Sequence, residues 1–160
     1  MDNLAKQILK DVALEEIVPR IQKKSPIDHW SPAILLERAA YLKKMARYGE
    51  GSASETLREY PQHIALLSFR SRDSEAEMYQ NFAVVFFALA GTATLVTGGT
   101  LTHARLVEPG LSRGASIDGG IRQELKAGEI AHVPAGLPHQ ILVADEKTIT
   151  CFVVKIQEAS

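Results

Sequence analysis

The rhythm of apolar and polar positions changes once along this chain. Between Asn3 and Val18 the apolar residues Leu4, Ile8, Leu9, Val12, Leu14 and Ile17 recur at roughly helical spacing, which predicts an amphipathic helix. Asp2 or Asn3 caps its start and Pro19 ends it. A breaker stretch, Lys23 to Pro32, follows. A second helix is predicted from about Ala33 to Tyr48, with Ile34, Leu35, Leu42 and Met45 on one side. Ser31 is its N-cap, Pro32 takes the first helical position, where a missing N–H costs nothing, and Gly49 is the stop. The composition of Gly49 to Ser54 reads as a flexible linker.

From about His63 the period shortens to that of strands. The runs His63–Phe69, Ala76–Gln80, Val84–Leu89, Thr92–Thr97, Gly114–Ile117, Ile121–Leu125, Ile130–Val133, His139–Val143 and Thr148–Ile156 are β-like and separated by turn residues. Gly98-Gly99 and Asp118-Gly119-Gly120 suit tight hairpins. About eight or nine short strands without long crossover helices indicate an all-β jelly roll or closed barrel. The expected division is a helical arm over residues 1–58, packed on the barrel or on a second subunit, and a barrel over residues 59–160.

Composition narrows the setting. The chain has 160 residues, 46% of them hydrophobic and 23% charged, which suits one globular domain with an appendage. A formal net charge of -1 gives no field to draw in nucleic acid or an anionic membrane. The two helices are not basic on one face and stand too far apart for a helix-turn-helix. No Gly-rich phosphate loop precedes a helix. Cys151 is the sole cysteine, so there is no internal disulfide and no CxxC motif, and its apolar surroundings make it a buried, inert thiol. The N-terminus lacks a signal-peptide pattern and no apolar run reaches about 18 residues, so a soluble cytoplasmic protein is expected.

The most specific stretch is Gly128–Gln140. Pro134, Gly136 and Pro138 bend the chain, and His139 heads the strand that follows. Gly128, Pro134, Gly136 and His139 match the spacing of the second motif of the cupin superfamily, and only its closing Asn departs, as Val143. The chain therefore resembles the cupins, in particular small single-domain bacterial ones. The resemblance implies a jelly-roll barrel, here preceded by two helices, with His139 turned into the lumen and a homodimer formed through the sheets. Counting back from Gly91, the acid slot of the first motif falls on Val84 and the two His slots on Glu77 and Tyr79. Arg113–Gly120 and the ending Phe152–Ile156 resemble the same small cupins.

These departures bear on chemistry. Valine offers no ligand atom, and tyrosine, with a pKa of about 10, is a poor ligand at neutral pH. One imidazole and one carboxylate fall short of the usual three protein ligands of a catalytic metal. The expectation is therefore a cupin-like protein with a degenerate metal site and no cofactor, binding a small organic molecule in a lumen lined by His139, Tyr79, Glu77, Val84, Phe86 and Phe69. Glu77 either faces the lumen or stands on an exposed edge, and Tyr79 either holds ligand or fills core. The alternative is a metal-dependent dioxygenase or isomerase in which His63 enters the lumen. His63, Glu77 and His139 would then hold Fe, Zn, Ni or Mn as two imidazoles and a carboxylate. His132 faces either in or out, in a supporting or surface role rather than as a ligand; His29 and His103 read as surface residues, and Trp30 as an anchor between arm and barrel.

Overall fold

The computed structural model describes residues 26–158, so the segment from Asn3 to Val18 lies outside the described residues. One helix is described, α1 (Pro32–Tyr48), and it forms where its sequence dictates. Ser31 Oγ accepts from the Ile34 N–H at 3.2 Å, Pro32 opens the first turn and Gly49 follows the last.

Twelve strands follow: β1 (Ser52–Glu59), β2 (His63–Arg70), β3 (Ala76–Tyr79), β4 (Phe82–Thr97), β5 (Thr100–Thr102), β6 (Arg105–Glu108), β7 (Leu111–Gly114), β8 (Ser116–Asp118), β9 (Ile121–Lys126), β10 (Ile130–Val133), β11 (His139–Leu142) and β12 (Ile149–Gln157). Ten of them make one curled sheet in the order β1-β2-β12-β4-β11-β3-β7-β6, with β9 and β10 also paired to β4, while β5 and β8 form a separate ribbon. All pairings are antiparallel.

Two elements differ from the sequence-based expectation. The supposed linker becomes a strand at Ser52, because Ala53, Glu55 and Leu57 turn toward α1 in alternation with the exposed Ser54, Thr56 and Arg58, and β1 pairs with β2 along its length. The runs Val84–Leu89 and Thr92–Thr97 are one strand, β4, which pairs with β12 and β10 before Gly91 and with β9 and β11 after it. Gly91 sits at φ 82°, and a Cβ there would strike the Thr148 carbonyl oxygen, so glycine permits both the change of partners and the close approach of β12.

The apolar residues separate into two clusters by strand parity. Val84, Phe86, Leu95, Val133, Ile141 and Val153 belong to the barrel interior. Leu67 and Phe69 point the other way, and α1 covers them with Leu35, Ala39, Leu42 and Ala46. Trp30 packs beside this second cluster, its ring 5.7 Å from that of Phe152. Cys151 is buried, and the apolar surroundings push its thiol up to about 12.

Candidate functional site

The turn at Pro134–Pro138 fixes His139 by backbone bonds. The Gly136 N–H donates to the Tyr79 carbonyl at 2.8 Å and the Gly98 N–H to the Pro138 carbonyl at 2.9 Å. Gly136 adopts φ 81°, which favours glycine. The strand beyond is pinned as well: the Ile141 N–H donates to Ser74 Oγ at 3.0 Å, the Val143 N–H to Asp73 Oδ1 at 2.7 Å, and Gln140 Nε2 to the Ser74 carbonyl at 2.9 Å.

His139 then lies directly across from Glu77 on β3, and Glu77 directly across from Arg113 on β7. Residues in register on antiparallel strands share a face, so these three form a polar row across three strands. Arg113 Nε lies 3.4 Å from Glu77 Oε2. Tyr79, two residues on and hence on the same face, donates its hydroxyl to Glu77 Oε2 at 3.0 Å. Lys155 on β12 donates to that hydroxyl at 2.8 Å and stands 4.7 Å above the ring.

These side chains enclose a cavity of about 180 Å³. Leu66, Val84, Phe86 and Val153 supply apolar wall, Ser54, Ser68 and Ser74 supply hydroxyls, and Arg70 on β2 adds a third cation to Arg113 and Lys155. The sequence-predicted residues Glu77, Tyr79, Val84, Phe86 and His139 all line it. His63 does not. On β2 it shares the parity of Ala65, Leu67 and Phe69, so it belongs to the outward face, where it is exposed and stacks on Tyr60 with ring centroids 4.3 Å apart. The same parity removes Phe69 from the lumen and packs it under α1.

Burial sets the electrostatics. It is the main force holding the His139 pKa below its ordinary value. Lys155 adds to that fall, while Glu77 and the Leu137 carbonyl oppose it. Burial also lowers Lys155, with Glu77 opposing and Arg113 adding to the fall, and it lowers Arg70. Burial raises Tyr79, and Glu77 raises it further, so the phenol keeps its proton.

The donor set does not suit a transition metal. Among the described residues no three His, Cys, Asp or Glu side chains come together as a ligand group. Glu77 is already engaged by Arg113 and Tyr79, and three cationic side chains share the lumen. A metal cation brought there adds to these positive charges and meets repulsion without enough ligands to offset it.

Arg70, Arg113 and Lys155 were not singled out from the sequence. The signal was parity. Lys155 falls on the face of Cys151 and Val153, and Arg70 on the face of Leu66 and Ser68, where a strand facing an apolar core would carry an apolar residue.

No family model matches the chain, and no curated protein matches it. Solved structures do resemble it. The protein TT1209 from Thermus thermophilus aligns at TM-score 0.50 and 19% identity over 74% of this chain and 95% of that one. The cupin domain of Schizosaccharomyces pombe Cnp3 aligns at TM-score 0.51 and 12% identity, covering 69% of this chain and 67% of that one. A Klebsiella pneumoniae protein with a double-stranded β-helix domain aligns at TM-score 0.50 and 14% identity, covering 66% and 76%.

Proposed function

From a chain with the cupin fold, we propose a protein that binds a small anionic organic molecule in its barrel lumen in place of a metal ion. The charge count of the cavity carries this reading. Arg70, Arg113 and Lys155 face a single carboxylate, Glu77, so the lumen holds a formal excess of two positive charges. No ion pair within 4.0 Å is formed by Arg70 or Lys155 among the described residues. Partly buried cations without a counter-charge lose solvation, and a carboxylate or similar anion offsets that loss. Val84 and Phe86 add apolar lining beside these charges, which suits a short carbon chain. The ligand is small, because drug-sized pockets run to about 300–1,000 Å³ and this one is well below them.

The test is a titration of untagged protein with acetate, oxalate, malonate and inorganic phosphate beside their neutral amides or esters, followed by NMR and thermal unfolding. A ligand at about 100 times its Kd stabilises by about 2.7 kcal/mol. Carboxylates should bind and the neutral analogues should not, and Arg70→Met should weaken binding about tenfold or more. Equal binding of neutral analogues, or no binding of any anion, overturns the reading. The same preparation tests a second proposal, the homodimer. Phe87 and Ile130 stand in register on β4 and β10 and are both exposed, an apolar pair suited to an interface between copies. Light scattering at micromolar concentration should give twice the chain mass, and a monomer mass rejects the dimer.

A further inference from the structure

We propose that Lys155 captures the carbonyl carbon of a small oxo acid as a reversible imine, with Arg70 and Arg113 holding the acid's carboxylate. This rests on the anionic lumen ligand proposed above and names its class. The amine has the setting a nucleophile needs. It rises from β12 on the lumen face, in register with Val84, and its Nζ meets Tyr79 Oη at 2.8 Å. The lumen's carboxylate, Glu77, is spent on Arg113 and on Tyr79, so Lys155 is left without an ion pair among the described residues. A lysine buried in this way gives up its proton more readily, chiefly through desolvation, and the free amine is the attacking form.

The neighbouring groups supply the proton traffic. The Lys155 nitrogen lone pair forms the new C–N bond as the carbonyl π pair moves to oxygen. That oxygen takes a proton from the Tyr79 hydroxyl, and the attacking nitrogen returns one to it, giving a neutral carbinolamine. Loss of the hydroxyl with a proton releases one water and leaves the C=N bond, with no change of oxidation state. Tyr79 is suited to this relay because its hydroxyl touches both Lys155 and Glu77 and stays protonated at neutral pH. Two guanidinium groups in the same small cavity select a carbonyl compound that also bears a carboxylate over a plain aldehyde or ketone.

The experiment treats the full chain with glyoxylate or pyruvate and cyanoborohydride, then maps modified peptides by mass. Parallel samples carry acetate or lactate, and binding of acetate is followed by NMR. Lys155 should be the site reduced first, with labelling about tenfold lower in Arg70→Met. It should be absent from Lys155→Arg, whose guanidinium stays protonated and is no nucleophile at neutral pH. Labelling spread over surface lysines at the same rate as Lys155 overturns the inference, as does labelling undiminished in Lys155→Arg. Acetate binding without any adduct defeats the imine and leaves the anion reading standing, and failure of both acetate and oxo acid to bind defeats both.

Discussion

Removing Glu55 alone should destabilise the protein more than removing Glu55 and Arg38 together. Arg38 on α1 is 0% exposed and its ion-pair partner Glu55 on β1 is 8% exposed, so both charges are taken from water between the helix and the sheet. The pairing is incomplete, for Nε and Nη1 of Arg38 and Oε2 of Glu55 are buried without a hydrogen-bond partner. Glu55→Leu strands a guanidinium among Leu35, Leu42 and Leu67, and breaking a buried pair in this way costs about 3–5 kcal/mol. The lower end applies, because Glu55 keeps some contact with solvent. The double variant Arg38→Met with Glu55→Leu removes both desolvation costs and keeps the volume apolar, so it should lie within about 1 kcal/mol of the unaltered protein or exceed it. Urea unfolding followed through Trp30, the sole tryptophan and part of the same cluster, reads the difference directly. At about 2–4 °C per kcal/mol for a domain of this size, Glu55→Leu should lower Tm by roughly 6–12 °C. A loss under about 1 kcal/mol for the single variant, or a double variant as unstable as the single, would refute the reasoning.

Two other predictions concern the lumen. His139 is held neutral by burial, so its folded pKa lies below the unfolded value of about 6.5, and the unfolded chain binds more protons between the two. Stability should therefore be full above about 6.5 and decline as pH falls from there toward the folded value. His139→Gln should flatten that decline in urea midpoints taken across the window, and an unchanged slope rejects the assignment. Val84→Asp with Tyr79→His fills the vacant slots beside Glu77 and His139, and adding Lys155→Met removes the amine that stands opposite position 84. Elemental analysis of untagged protein should find nickel, zinc or iron near one equivalent in this variant and well below that in the unaltered chain. Stoichiometric metal in the unaltered protein would show that the donor set was misjudged.

How far the sequence disclosed all this depends on the range of the forces involved. The turn before His139, the cap at Ser31 and the strand rhythm after His63 are local, set by Pro, Gly and alternation within a few residues, and they stand in the structure. The motif spacing placed Glu77, Tyr79 and Val84 in one cavity because β3 and β4 keep their parity. What stayed hidden was long-range. Gly49 to Ser54 reads as a linker by composition, and only the pairing of Ser52–Glu59 with β2 makes its last residues the start of a strand. His63 stood as a metal candidate on type alone; it shares the parity of Leu67 and Phe69, and only the packing of α1 on those two shows that this face points away from the lumen. Applied to every strand in turn, that parity argument also picks out Arg70, Arg113 and Lys155, three cations on faces that should be apolar. A fold of this kind hosts unrelated chemistries, so the particular site, more than the barrel, carries the functional argument. Here the site is marked by charges, Arg70, Arg113 and Lys155, that the motif spacing does not include. Val84, in register with Lys155, offers no carboxylate to that amine, so three cationic side chains face the single carboxylate of Glu77 in this lumen.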